Sequence, residues 1–153
     1  MPYLQDRYGR KLSKAKRLLT GERGMHMKKV FIFCNYEPLA FLIERIVTLH
    51  FSAEIILSDR KMEAFDMYYL FEPDLVVIDL DEAGNNLLRE IKAVHPSQRF
   101  LGLVPDSLDP FSIDDVSGID KAHLISKPFH INELIIKTKD SLYRRTDHTL
   151  EKN

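Results

Sequence analysis

The sequence predicts an α/β domain built on a doubly wound, five-stranded parallel sheet with helices on both faces. Two observations carry this. Short apolar runs alternate with stretches of helical periodicity between residues 28 and 145, the alternation that successive βαβ units produce. The middle run, Asp74–Leu80 (DLVVIDL), has almost no polar alternation, as a strand covered on both faces requires.

The elements follow in order. Val30–Cys34 is a run of β-branched and aromatic residues and reads as a buried strand. Pro38 suits a helix start, because its missing N–H is one that a first turn leaves unpaired in any case. Leu39, Leu42, Ile43, Ile46, Val47 and His50 then share one helical face. Ala53–Leu57 is a second strand, and Met62, Phe65, Tyr69 and Leu70 mark a second helix that ends at Pro73. After the third strand Gly84 opens a loop. Leu87, Leu88, Ile91 and Val94 form the next helical face, which Pro96 ends. Phe100–Val104 is a fourth strand. Residues 105–119 are rich in Asp, Ser, Pro and Gly and allow only a short or irregular helix. His123–Ser126 is a fifth strand, and Ile131, Leu134, Ile135, Thr138 and Leu142 line a final helix.

Composition narrows the function classes. Of the 153 residues, 44% are apolar and 29% charged, with a net charge of −1, which describes a globular domain without the charge of a dedicated nucleic-acid or anionic-lipid binder. No apolar run approaches the roughly 20 residues of a membrane span, and no secretory signal is readable. The single cysteine, Cys34, excludes an internal disulfide and a cysteine-based zinc cluster. A cytoplasmic location is expected.

The charge is unevenly spread. Residues 1–29 hold nine basic residues and two acids, Asp6 and Glu22; the rest hold 13 basic and 21 acidic residues. Leu4, Tyr8, Leu12, Ala15 and Leu18 recur at helical spacing within this basic extension, and Gly21 and Gly24 end the pattern. Either a basic amphipathic helix for an acidic partner, a nucleic acid or an anionic membrane, or a solvated tail, fits the pattern. Met25-His26-Met27 admits a second start or a remnant of cloning. The expected organisation is a basic extension over 1–27, a domain over 28–145 and a tail over 146–153.

In such sheets a site lies at the carboxyl ends of the strands. There stand Cys34 and Asn35 after strand one, Asp79 after strand three, Val104 and Pro105 after strand four, and Ser126, Lys127 and Pro128 after strand five. One carboxylate and one ammonium thus share an edge.

At these positions the chain resembles the response-regulator receiver domains, the CheY-like family. PDLVVIDLDEAG (73–84) is similar to their phosphoacceptor strand, SKPF (126–129) to their closing Lys-Pro-Phe, and VFIFCNYEPL (30–39) to their first strand. The resemblance implies a flavodoxin-like fold with strand order 2-1-3-4-5. It implies that Asp79 is the phosphoacceptor equivalent, that Lys127 pairs with it, that Lys127–Pro128 is cis, and that Gly84 closes the loop after the phosphoacceptor. It also implies a partner surface over about 108–145, formed by the fourth helix, fifth strand and fifth helix of the family.

The departures bear on function. Cys34 and Asn35 replace the acidic pair that holds Mg²⁺ in the family, and a thiol is a poor ligand for a hard cation. Val104 replaces the hydroxyl residue that bonds the phosphoryl oxygen, and Leu124 the switch aromatic. Pro105 removes a backbone N–H from the phosphate loop. Asp81 is an added acid near the site, for which three roles compete: rebuilding a weak Mg²⁺ site with Asp79, repelling a phosphoryl group, or pairing permanently with Lys127. The last is favoured because it needs no metal.

The expectation is an atypical, degenerate pseudo-receiver. It is not an enzyme, needs no cofactor, and acts by binding a protein partner, such as a histidine kinase or an output protein, with a homodimer also open. Two alternatives stand beside it. One is a phosphorylatable two-component regulator using Asp79 and Mg²⁺. The other is an adaptor that binds nucleic acid or membrane through the basic extension. With few residues after Arg145, a stand-alone receiver is expected if the chain is complete, and an output domain beyond Asn153 if it is a fragment. Cys34 reads as a small core residue, with oxidant sensing through a lowered thiol pKa as the lesser alternative. His95, His123, His130 and His148 lack ligand spacing and are expected at the surface.

Overall fold

A computed structural model describes residues 27–58, 61–105 and 118–144. The basic extension, the irregular stretch over 106–117 and the tail lie outside these, and with them part of the expected partner surface.

Five strands, β1 (Lys28–Phe33), β2 (Ala53–Ser58), β3 (Leu75–Asp79), β4 (Phe100–Val104) and β5 (Leu124–Ser126), form one sheet in the order β2-β1-β3-β4-β5. All neighbours are parallel. Four helices are described: α1 (Glu37–His50), α2 (Lys61–Phe71), α3 (Glu82–Val94) and α4 (Ile131–Tyr143). The expected fold and strand order are both present.

Alternation along the strands divides the core in two. Val30, Ile32, Leu75, Val77, Leu101 and Leu103 meet Ile43 and Val47 of α1 and Leu134 and Leu142 of α4. Phe31, Phe33, Val76, Ile78 and Phe100 face the other way, onto Ala64, Tyr68 and Phe71 of α2 and Leu87 and Ile91 of α3. All five residues of β3 are buried, because the strand is central and helices cover both its faces.

Several element details differ from the sequence expectation. On α2 the inward stripe is Ala64, Tyr68 and Phe71, while Tyr69 and Leu70 are exposed. Both stripes have helical spacing. Tyr68 is the one whose phenol finds partners when buried, Gln98 Oε1 at 2.8 Å and His95 Nδ1 at 2.7 Å. The side chain of Met62 lies outside the described residues. Leu42 and His50 of α1, Val94 of α3 and Ile131 of α4 are also exposed. These residues occupy helix ends and flanks that no neighbouring element covers among the described residues. His123 belongs to a 3₁₀ turn (Lys121–His123) before β5. There its N–H bonds the Asp120 carbonyl at 2.8 Å, which delays the strand by one residue. His95 is half-buried by its bond to Tyr68 and its stacking on Tyr69, so it is not the free surface histidine the spacing suggested.

Gly84 lies in the first turn of α3, not in a loop. Its reason is close approach: a Cβ there would stand 1.7 Å from the Asp79 carbonyl oxygen. The chain therefore turns from β3 into α3 directly over the residue of most interest.

Candidate functional site at the carboxyl edge of the sheet

Parallel pairing brings the ends of β1, β3, β4 and β5 to one edge. Asp79 is 5% exposed. Its two oxygens face different groups. Lys127 Nζ lies 2.8 Å from Oδ1, in an ion pair whose lysine side chain is 25% exposed. The Cys34 thiol approaches Oδ2 at 3.8 Å and also lies 3.5 Å from the Tyr36 carbonyl. The Lys127–Pro128 bond is cis, and the Lys127 N–H donates to the Val104 carbonyl at 3.0 Å, which ties the lysine loop to the end of β4.

Asp81 does something else. Its Oδ1 accepts the Gly84 N–H at 2.7 Å and caps α3. Its Oδ2 lies 3.3 Å from Asn35 Nδ2. Since a carboxylate only accepts, this contact fixes which way the Asn35 amide faces. The favoured Asp81–Lys127 pair is therefore corrected: the lysine goes to Asp79, and the cap holds Asp81 in the first turn of α3. The Asn85 side chain donates to the carbonyls of Leu80 at 3.3 Å and Asp81 at 3.1 Å. That brace of the β3–α3 turn was not anticipated, although an asparagine in a first helical turn is a recognisable signal for it.

Val104 and Leu124, where the resemblance expects a hydroxyl and an aromatic, are apolar and packed. Val104 is 2% exposed and Leu124 8% exposed, and both join the core beside α2 and α3. Neither side chain carries a hydrogen-bond donor toward the edge.

Burial pushes the Cys34 thiol up to about 11; the Tyr36 backbone hydrogen bond and the Lys127 charge oppose the rise, and the neighbouring Asp79 adds to it. The lowered thiol pKa considered for oxidant sensing is thereby overturned. Lys127 is near, but burial and the carboxylate outweigh it.

Magnesium asks for hard oxygen donors in an octahedron, one or two of them carboxylates free to coordinate and the rest largely water. Here Asp79 is engaged by a lysine and a thiol, Asp81 by a helix N-terminus and an amide, and the sulfur of Cys34 is a poor ligand for a hard cation. Among the described residues no group of three or more His, Cys, Asp or Glu is arranged to hold a metal. The donor set does not fit Mg²⁺.

Comparison with solved structures places this geometry. The receiver domain of the Francisella response regulator 1452 superposes with a TM-score of 0.66 at 21% identity, over 76% of this chain and 98% of that one. A response regulator from Thermotoga maritima gives 0.64 at 20%, over 76% and 98%.

The fold is that of a receiver domain.

NtrX from Brucella abortus gives a TM-score of 0.67 at 20% identity over 82% of this chain, which spans only 28% of the length of NtrX. No protein-family model and no curated protein matches the chain. Among the described residues no helix is long and apolar enough to cross a membrane.

Proposed function

We propose that this chain is an atypical receiver domain, a protein-interaction module of a two-component signalling pathway that does not run on Mg²⁺-dependent phosphorylation of Asp79. The carrying observation is the occupancy of the Asp79 carboxylate, Lys127 on one oxygen at 2.8 Å and the Cys34 thiol toward the other at 3.8 Å. Phosphoryl transfer to a carboxylate brings a dianion against an anion, and a metal ordinarily neutralises that charge. In this site one ammonium is the only cation beside the acceptor among the described residues, and Val104 offers no hydroxyl to the incoming oxygens. The receiver folds of the solved neighbours support a signalling role of this kind.

On this reading the protein catalyses nothing and needs no cofactor. It works in the cytoplasm through a protein partner, a kinase or an output protein, that meets the face over 108–145. The ion pair holds one conformation, and the partner selects it without a phosphorylation event. Calorimetric titration with MgCl₂ tests the premise. The account expects no saturable heat at millimolar Mg²⁺; a saturable isotherm abolished by Asp79→Asn would contradict it and favour the phosphorylatable regulator.

A further inference from the structure

We propose that the opposite, amino-terminal edge of the sheet carries a binding site for a small phosphorylated ligand, independent of Asp79. Two clefts open there, of about 900 Å³ and about 240 Å³. They adjoin: Gln98, Arg99 and Arg144 line both. These three shared residues include two guanidinium groups and no acid. Lys28 adds a cation in the larger cleft, and Lys92, whose Nζ donates to the Gly118 carbonyl at 2.9 Å, another in the smaller. The acids are divided between them, Glu72 and Asp74 in the larger and Asp120 in the smaller. Two of these already accept main-chain N–H groups, Asp74 from Lys29 at 2.8 Å and Asp120 from Ala122 at 3.3 Å. Arg144 also pairs with Asp140 at 3.4 Å, so the excess positive charge on the wall between the clefts rests mainly on Arg99.

That wall is ordered for recognition. Arg99 Nη1 donates to the Ser141 carbonyl at 2.9 Å, which orients a half-buried guanidinium before any ligand arrives. Ser141 itself lines the smaller cleft, is 2% exposed, and keeps its hydroxyl buried without a hydrogen-bond partner. An orphaned hydroxyl beside an oriented arginine is an unspent polar group of the kind that a native interior rarely leaves. A planar guanidinium fork matches a phosphate or carboxylate bidentately. Arg99, joined by Arg144 when a ligand draws it from Asp140, favours the more highly charged phosphoryl group. The larger cleft has room for an organic body against the half-exposed Tyr143 ring, over which Lys28 sits 5.8 Å from the centroid.

The test is an amide-resolved NMR titration of the full chain at constant ionic strength with inorganic phosphate, pyrophosphate and ribose 5-phosphate. The proposal expects saturable shifts at Gln98–Phe100 and Ser141–Arg144, with Asp79 and Lys127 unmoved. Ribose 5-phosphate should bind more tightly than inorganic phosphate, because its body adds contact in the larger cleft. Arg144→Gln, at an exposed position that leaves the fold intact, should weaken binding about tenfold, and Arg99→Gln at least as much. Shifts that do not saturate, that fall only on residues 1–29, or that persist undiminished in Arg144→Gln would overturn it. Equal affinity for ribose 5-phosphate and inorganic phosphate would overturn the two-cleft site.

Discussion

The Cys34 thiol lies 3.8 Å from Asp79 Oδ2, the oxygen that Lys127 leaves uncovered. A neutral donor thus meets this oxygen, where an acid would repel it. Asp79 is held by one charge and one weak hydrogen bond, with no second negative group on it among the described side-chain contacts. The pair is a structural element of the edge, and its removal is expected to act on stability in an asymmetric way.

Lys127→Met should destabilise the domain by about 2 kcal/mol or more, because it strands a buried carboxylate. Asp79→Asn should cost less, because the lysine it frees is a quarter exposed and can turn to water. Urea unfolding of both variants checks the order. Equal losses would argue against a buried, unequal pair.

Stability should fall at alkaline pH in two overlapping steps. Burial raises Cys34 from 9.0 to about 11 and Tyr68 from 10.0 to about 12. A group whose folded pKa lies above its unfolded value stabilises fully below the unfolded pKa, and that contribution is lost as pH rises through the folded one. The Cys34 window therefore runs from about pH 9 to 11 and the Tyr68 window from about pH 10 to 12. Cys34→Ala should flatten the lower part of the pH–stability curve and Tyr68→Phe the upper. The same burial predicts that native Cys34 reacts with iodoacetamide far more slowly than in the urea-unfolded chain.

The double variant Cys34→Asp/Asn35→Asp should create what the native donor set lacks. Three carboxylates would then crowd the edge, so the variant should be less stable than the native protein without metal and regain stability with Mg²⁺. Thermal melts across a magnesium series measure this. A melting point that ignores magnesium would show that more than the acidic pair is missing.

At the β3–α3 turn, Asp81→Ala should cost about 1 kcal/mol, the loss of a helix cap. Gly84→Ala should cost more, since its methyl would meet the Asp79 carbonyl 1.7 Å away. It should also shift the Asp79 and Lys127 resonances, whereas Asp81→Ala should leave them nearly in place. Chemical denaturation with amide NMR separates the two.

The parallel sheet was legible because β3 is apolar at every position before Asp79 and the strands sit at regular intervals, while the strand order came from the resemblance. The Asp79–Lys127 pair was legible because both residues end strands of one parallel sheet. Finer features were not. On α2 the expected Phe65 does pack against the core, but Tyr69 and Leu70 give way to Tyr68 and Phe71, and the Tyr68 phenol is met by His95 and Gln98, distant in sequence. The role of Asp81 turned on a contest between a lysine and a helix N-terminus, which only geometry decides. The thiol of Cys34 could be read toward either a lowered or a raised pKa until its burial and its distance to Asp79 were known.

The central claim is that Asp79 is a structural partner of Lys127 and not a working phosphoacceptor. Its most direct test is intact-mass measurement after incubation with Mg²⁺ and a small-molecule phosphodonor such as acetyl phosphate, beside an Asp79→Asn control. The account predicts that the native mass does not change. A gain of one phosphoryl group that vanishes in the control would contradict it.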